Sequence, residues 1–316
     1  MPTLIEPPVQ PPDGPATALS TGAARRLATT TKTPPQAAAI TPRWLLRILP
    51  WRDVPGGTYR LTRTERRTLA RPGSDQPGVI LAAGHTGEPR LPGMGITYGL
   101  PPREYPLSLA QTVLRVHTRV RDVHNEPLDQ FDEQLRLALE ALRERQEHDL
   151  VNHPGFGLLH APPPRHRVAA RTGPPTPADL DALICKQTSP RYLLAHPRAI
   201  AAFGHQCTRR GLMPDTIDVS GHRLLGWRGL PMLPCDKIPI NGTTTTILVV
   251  RPGEDRQGVV GLRPADLPGQ HEPGVTVQRA GTDAHAVESH LVTSYYSLAV
   301  PIPNAVCALD GVELGH

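Results

Sequence analysis

Residues 41–60, TPRWLLRILPWRDVPGGTYR, decide how the rest of the chain is organised. No aromatic residue precedes Trp44, and two of the three tryptophans then occur within eight positions. The spacing predicts a short helix over 42–49, with Thr41 as its N-cap because a threonine oxygen accepts from free backbone amides, and with Pro50 as its end. Isolated helices this short are marginal in water, so the segment must pack against another part of the protein.

The 40 residues before this segment are rich in proline, alanine and threonine and carry few charges. Such a chain cannot bury enough apolar surface to fold alone. We expect disorder before about residue 25, as is usual at chain termini. Residues 27–40, LATTTKTPPQAAAI, are expected to form an extended arm that lies in a surface groove.

The composition excludes several classes of protein. With 38 prolines and 3 phenylalanines among 316 residues, the chain is suited to turns, edge strands and extended segments and not to a bundle of long helices. The net charge is +5, carried mostly by arginine, but the basic residues are scattered among 29 acids without interleaved aromatics. We therefore expect no nucleic-acid partner.

Cysteine usage and hydropathy suggest a compartment. The four cysteines, at 185, 207, 235 and 307, form no CxxC pair, which favours free thiols in a reducing environment. The N-terminus shows no basic region followed by an apolar one, and no window approaches 18 apolar residues. The expectations are a cytoplasmic protein and no membrane insertion.

Residues 56–123 have the pattern of strands. From 56 to 99 the chain is punctuated by glycine, and the alternation of Tyr59 and Leu61 with Arg60 predicts a two-stranded excursion closed by a long loop. A hairpin of this kind is marginal in water and must lean on a partner. Alternating valines and polar residues then predict a strand within 107–123.

The clearest helix is predicted over 126–152, with Asn125 as a candidate cap. At about 1.5 Å per residue it spans about 40 Å, which is long for this composition, so we interpret it as a spine. Its apolar residues recur at steps of three and four: Leu128, Phe131, Leu135, Leu139 and Leu142.

The second half mixes short helices and strands. Thr176 is predicted to cap a helix whose inward residues are Leu180, Leu183, Ile184 and Cys185, and a further helix is predicted over 197–210 and ends before Gly211. Short strands follow, among them TTTTILVV, and a last strand is predicted over 291–300. The elements interleave without a regular βαβ period, which favours an α+β fold.

A search for reactive chemistry finds no constellation. GxSxG, GxxxxGK[ST] and HExxH patterns are missing, and GMGITYG lacks the helix that would bind phosphate. Cys207 lies at the end of a predicted helix, where the dipole does not activate a thiol. We therefore predict no catalytic, cofactor-binding or metal-binding residues and no enzymatic activity. The remaining candidates are interpreted as structural or solvated: His117, His124, His285, His290, Cys235, Glu65, Asp75, Asp132 and Glu133.

Three long blocks carry a family resemblance: residues 27–61, 235–262 (CDKIPINGTTTTILVVRPGEDRQGVVGL) and 289–314 (SHLVTSYYSLAVPIPNAVCALDGVEL). They resemble the family 2 encapsulins, which are shells of prokaryotic nanocompartments, and most of all the 2A-like branch. The order of arm, excursion, spine helix and compact second half resembles the HK97-type capsid fold.

The resemblance implies five segments. They are an N-terminal arm (1–50), an extended loop (51–104), a P-domain with the spine helix (105–177), an A-domain (178–288) and a C-terminal strand that returns to the P-domain (289–316).

The resemblance also implies a function. The chain is expected to be the structural subunit of an icosahedral shell of 60 copies with T=1 symmetry that encloses a cargo enzyme. In this branch the cargo is a PLP-dependent cysteine desulfurase with a disordered N-terminal segment, and the role is sulfur metabolism or storage. Three alternatives stay open: a different cargo such as a terpene cyclase, a phage-type capsid protein, and a soluble enzyme of the sulfur pathway.

We predict that the 41–60 segment marks where the core of one subunit meets its neighbours. The spacing of residues does not select pore-lining or cargo-binding residues. The predicted assembly-interface residues are Thr30, Thr31, Lys32, Trp44, Leu45, Leu46, Trp51, Tyr59 and Arg60.

Overall fold

The structure, a computed structural model, describes residues 41–62, 64–68, 94–98, 103–117 and 130–315, and for 64–68, 94–98, 117 and 130 it describes the backbone alone. The predictions for residues 1–40 and for the candidate cap Asn125 lie outside this part of the chain.

The described residues form four α-helices, two 3-10 helices (Pro164–His166 and Pro303–Ala305) and seventeen strands in an interleaved order. The α-helices are α1 (Trp44–Ile48), α2 (Gln130–Asn152), α3 (Pro177–Ile184) and α4 (Pro197–Arg209). The strands are β1 (Trp51–Val54), β2 (Thr58–Leu61), β3 (Thr64–Thr68), β4 (Met94–Tyr98), β5 (Arg103–Pro106), β6 (Ser108–His117), β7 (Arg167–Ala169), β8 (Tyr192–Ala195), β9 (Asp215–Val219), β10 (His222–Trp227), β11 (Leu230–Pro234), β12 (Thr244–Val250), β13 (Val260–Pro264), β14 (Gln270–Glu272), β15 (Val275–Thr282), β16 (Val287–Ala299) and β17 (Val306–Glu313).

The first sheet supports the spine helix. It has the order β1-β13-β16-β15-β14, and β6 also pairs with β16, antiparallel over ten residues from Val287↔His117 to Tyr296↔Ser108. Helix α2 packs across these strands because its predicted apolar stripe faces them. The buried cluster between helix and sheet consists of Leu114, Val116, Leu135, Leu139, Leu142 and Val292. The spine helix is therefore confirmed from Gln130 onward.

The second sheet has seven strands in the order β7-β17-β12-β8-β11-β10-β9 and mixes parallel with antiparallel pairs. The β-branched run predicted as a strand is β12, which lies between β17 and β8 and is buried over Ile247–Val250. Helices α3 and α4 contribute Leu180, Leu183, Ala199 and Phe203 to the core of this layer. The predicted α+β class is confirmed.

The chain passes between the two sheets twice in the second half. Residues 251–259 lead from β12 to β13, and residues 300–305 lead from β16 to β17. Within 289–316, β16 pairs with β6 of the first sheet, whereas β17 pairs with β12 of the second. The boundaries of the five predicted segments stay a prediction.

The predicted excursion is present as two antiparallel ribbons, β2 with β5 and β3 with β4. The residues that would close its loop, 69–93, lie outside the described part of the chain. In chain order β3 follows β2 and β5 follows β4.

Local signals were reliable at two helix ends and wrong at two other positions. Thr176 caps α3 as predicted, in a capping box that it forms with Asp179, and Gly211 follows α4 with φ +67, which favours glycine. Thr41, in contrast, does not cap α1, which begins at Trp44 with Arg43 as N-cap residue. Cys185 is exposed and does not join the core, because α3 ends at Ile184 and the inward stripe ends with it.

Candidate assembly site

Helix α1 is held at its start by a carboxylate from the spine helix. Glu147 Oε1 accepts from the Leu45 amide at 2.9 Å, and its Oε2 accepts from the Leu46 amide at 3.1 Å. These two N–H groups have no partner inside a helix that begins at Trp44, so Glu147 supplies the cap that Thr41 was expected to supply. Burial raises the pKa of Glu147 to about 7, against the lowering effect of the two backbone hydrogen bonds.

Arg43 ties the same segment to α2 by ion pairs. Its Nη2 lies 2.5 Å from Glu140 Oε2, and its Nη1 donates to Glu144 Oε1 at 2.9 Å. Glu144 also pairs with Lys237 at 2.8 Å. The buried charges of this junction are therefore matched within one subunit, which is the condition under which burying a charge is tolerated.

Thr41 lies outside the helix and tethers the segment to the second sheet's layer. Its hydroxyl donates to Asp236 Oδ1 at 2.6 Å and accepts from the Asp236 amide at 3.1 Å. Burial alone would raise the pKa of Asp236, but hydrogen bonds from Thr41 and Lys237 lower it overall. We call the set Thr41, Arg43, Glu147, Asp236 and Lys237 the anchor junction.

The predicted interface residues next to this junction divide by burial. Trp44 and Leu45 are fully buried in the subunit's own core, where the Trp44 ring meets His222 edge-on at 5.3 Å. Leu46 and Trp51 are half-buried and packed against the same core, and Trp51 Nε1 donates to the Leu46 carbonyl at 3.3 Å. Of these four side chains, only Leu46 and Trp51 keep exposed surface that a second chain could contact.

Tyr59 and Arg60 lie on the excursion. Tyr59 is half-buried against Tyr105, with ring centroids 6.4 Å apart, and the Tyr105 hydroxyl donates to the Val300 carbonyl at 2.9 Å. Arg60 is exposed and pairs with Glu104 at 2.9 Å. Tyr105 thus fastens the ribbon to the end of β16, while Arg60 faces outward. The other predicted interface residues, Thr30, Thr31 and Lys32, lie outside the described residues.

Two exposed apolar pairs were not predicted as interface. Leu109 and Val113 lie four residues apart on one face of β6 and are about half exposed. Leu212 and Met213 follow α4 at a turn, and Met213 is 93% exposed. The alternation in β6 was visible in the sequence, but the face turned toward the spine helix could be told from the outer face only after β6 was paired with β16 and α2.

The structure also shows the surroundings of the potential metal ligands and of the thiols among the described residues. No group of three His, Cys, Asp or Glu side chains in this part of the chain could hold a metal ion. Burial raises the pKa of the Cys235 thiol to about 12 and that of Cys307 to about 11, and it also raises the pKa of Cys207. Raised thiol pKa values are the opposite of what a nucleophilic cysteine needs. None of the described helices is long and apolar enough to cross a membrane.

Comparison with known sequences relates nearly all of the chain to the type 2A encapsulin shell proteins. The model of the SrpI-like type 2A encapsulin shell proteins matches residues 64–316. The type 2A encapsulin shell protein SrpI of Synechococcus elongatus is 44% identical over 303 residues, which cover 96% of each chain. A type 2A encapsulin shell protein of Mycolicibacterium paratuberculosis is 43% identical over 298 residues, 94% of this chain and 95% of the relative.

Comparison with solved structures shows that the fold is also similar to that of encapsulin shells and capsids. The shell chain of the holo-SrpI encapsulin complex from Synechococcus elongatus PCC 7942 has a TM-score of 0.77 at 43% identity, covering 95% of this chain and 98% of that one. The capsid of a native GTA particle, at 12% identity, covers 85% and 90% with a TM-score of 0.55 and shares the fold alone. The predicted HK97-type capsid fold is confirmed.

Proposed function

The chain belongs to the type 2A encapsulin shell proteins, which assemble into capsid-like multimeric cages, and from this premise we propose that its cage encloses a cysteine desulfurase. The cargo enzyme would carry PLP and a disordered N-terminal segment that binds the lumen, and the cage would serve sulfur metabolism or storage in the cytoplasm. The observation that carries the proposal is the 44% identity to SrpI over 96% of both chains.

We assign the cage 60 subunits with T=1 symmetry. The chain aligns with SrpI over nearly the full length of both, which supports the same class of cargo. Terpene cyclase therefore stays the second candidate for cargo.

Contacts between subunits would be made by surfaces that the isolated subunit leaves open. The outer face of β6 presents Leu109 and Val113, and the excursion presents Arg60. Apolar side chains half exposed on a sheet face support burial against a neighbouring subunit. The predicted arm residues Thr30, Thr31 and Lys32 would lie on a neighbour, and the A-domain would converge at the symmetry axes to form pores.

The cargo enzyme can be identified by purifying the cage from cells that encode this chain. Size-exclusion chromatography and negative-stain microscopy should show closed particles of uniform diameter. Absorbance near that of enzyme-bound PLP should co-elute with the particles, because this chain cannot generate it. Particles that contain another enzyme by mass spectrometry would contradict the desulfurase cargo, and a dimer without particles would support a soluble enzyme instead.

Deletion of residues 1–40 tests the arm, with deletion of residues 1–25 as the matched control. The longer deletion should abolish closed particles while circular dichroism keeps the helix signal, and the shorter one should assemble normally. Normal particles from the longer deletion would show that the arm is passive.

A further inference from the structure

A cleft of about 600 Å³ lies where both crossovers between the sheets meet. Arg251 and Arg256 line it from the crossover between β12 and β13, and Asn304 lines it from the crossover between β16 and β17. Thr188 and Ser189 line it from the segment between α3 and β8. No residue of the anchor junction takes part, so the cleft is separate from the contacts described above.

Arg251 is buried in the wall of this cleft with only neutral partners. Its Nη1 donates to the Thr188 carbonyl, and its Nη2 donates to Asn304 Oδ1 at 2.9 Å. The buried Nε has no hydrogen-bond partner. A guanidinium has five N–H donors, so these two bonds leave most of its capacity unused. Burial lowers the pKa of Arg251, as expected for a cation removed from water without an anion.

The lining of the cleft is cationic. It includes Arg251 and the exposed Arg256, and none of its residues is an acid. Glu254, on the same crossover, forms an ion pair with Arg52 instead, with 2.5 Å between Glu254 Oε2 and Arg52 Nη1. A buried cation without an anion is costly, so this arrangement favours any small anion that reaches the cleft.

The backbone around Arg251 is held in place. Its amide donates to the Ala305 carbonyl at 2.9 Å, which joins the two crossovers. Gln187 Nε2 donates to the carbonyls of Asn304 and Ala305 at 2.9 and 2.5 Å. A Cβ at Gly258 would lie 2.2 Å from the Arg251 carbonyl oxygen, so only glycine allows this approach. The guanidinium is therefore positioned before any ligand arrives, which reduces the entropy lost on binding.

We propose that this cleft binds a small inorganic oxyanion of the phosphate or sulfate class, with Arg251 as its main ligand and Arg256 at the mouth. Guanidinium groups match such anions because paired N–H donors meet two oxygens at once. A carboxylate from a second copy of the chain has the same chemistry, and the experiment separates the two sources.

The test uses cargo-free assembled cages. Phosphate and sulfate are titrated by calorimetry against chloride at equal ionic strength. We expect saturable binding of about one anion per subunit, weakened at least about tenfold in Arg251→Gln and less in Arg256→Gln, because a charge-assisted bond contributes on this scale. Arg209→Gln, an exposed arginine on α4, is the matched control and should bind as the parent does.

Each outcome decides the proposal. Equal affinity in Arg251→Gln and the parent would overturn it, as would binding only to disassembled subunits, since that result means a neighbour's carboxylate already fills the cleft. Should Arg251→Gln fail to assemble, a cryo-EM map of Arg256→Gln and parent cages in phosphate replaces it. Density beside Arg251 in the parent supports the site, and its absence there overturns it.

Discussion

Arg43 and Arg251 are buried to nearly the same degree, 8% and 5% exposed, but their surroundings differ. Arg43 lies against two carboxylates of the spine helix, whereas Arg251 lies against a carbonyl and an amide oxygen. The charge of Arg43 is therefore matched by carboxylates of its own chain. The charge of Arg251 is not, and this difference separates a contact that stabilises the subunit from one that is open to a ligand.

The largest expected effect comes from removing the buried ring of Trp44, which lies next to the anchor junction. Trp44→Ala removes a fully buried ring and should cost about 3–5 kcal/mol of unfolding free energy, enough to impair folding and assembly together. Denaturant midpoints and particle yield measure it. The control is Trp51→Ala, a half-buried tryptophan that should cost less. A Trp44→Ala cage as stable as the parent would contradict the placement of this ring in the core.

Replacing each buried arginine by methionine tests the comparison directly. Arg43→Met removes the shared cation of Glu140 and Glu144, which keep only Arg143 and Lys237, and should cost about 3 kcal/mol. Arg251→Met removes an uncompensated cation and should cost about 1 kcal/mol. Thermal and denaturant unfolding at one protein concentration measure both. Equal losses would show that the two sites are not electrostatically different.

Glu147→Gln tests the cap on α1 through its pH dependence. At pH 5 the variant should be about 1 kcal/mol less stable, because an amide nitrogen cannot accept from the Leu45 or Leu46 amide. The parent's folded state holds a carboxyl with pKa about 7, above the usual value, so this group's contribution is fully present below pH 4.5 and is lost as the pH rises through 7.

The deficit of Glu147→Gln should therefore shrink as the pH rises from 5 and reverse near pH 6, because the parent loses about 1.4 kcal/mol for each pH unit between 4.5 and 7. Unfolding midpoints of parent and variant across this range measure the difference, from which the groups that do not interact with Glu147 cancel. Glu104→Gln, which removes an exposed carboxyl, is the control variant. Parallel curves for Glu147→Gln and the parent would contradict a buried, raised carboxyl.

The smallest effect concerns the tether. Thr41→Val keeps the side-chain shape but removes both hydrogen bonds with Asp236, and it should cost about 1 kcal/mol. Unfolding midpoints measure the loss. The same substitution would be nearly neutral if Thr41 acted neither as tether nor as cap.

The parts predictable from the sequence are those whose signals lie within a few turns of the chain. Thr176 and Asp179 identify the start of α3 because the capping box closes over three residues. The stripe of Leu135, Leu139 and Leu142 identifies the buried face of the spine helix for the same reason. The family followed from blocks of about 26 to 35 residues, which are long enough to be specific.

The roles that were wrong or missed depend on distant partners. Thr41 meets Asp236, 195 positions along the chain, and the cap of α1 comes from Glu147, about 100 positions away. No local pattern contains either contact. The outer face of β6, with Leu109 and Val113, became distinguishable from its inner face only through pairing with β16 and packing of α2.

The sequence by itself determined the α+β class, the spine helix, the helix ends at Thr176 and Gly211 and the shell family, because each depends on local periodicity, capping or extended similarity. The tertiary structure alone decided which buried charges are matched. Charge neutralisation acts across a few ångströms of space between residues far apart in the chain, so Arg43 and Arg251 look alike in sequence and differ only once the two sheets and the spine helix are packed.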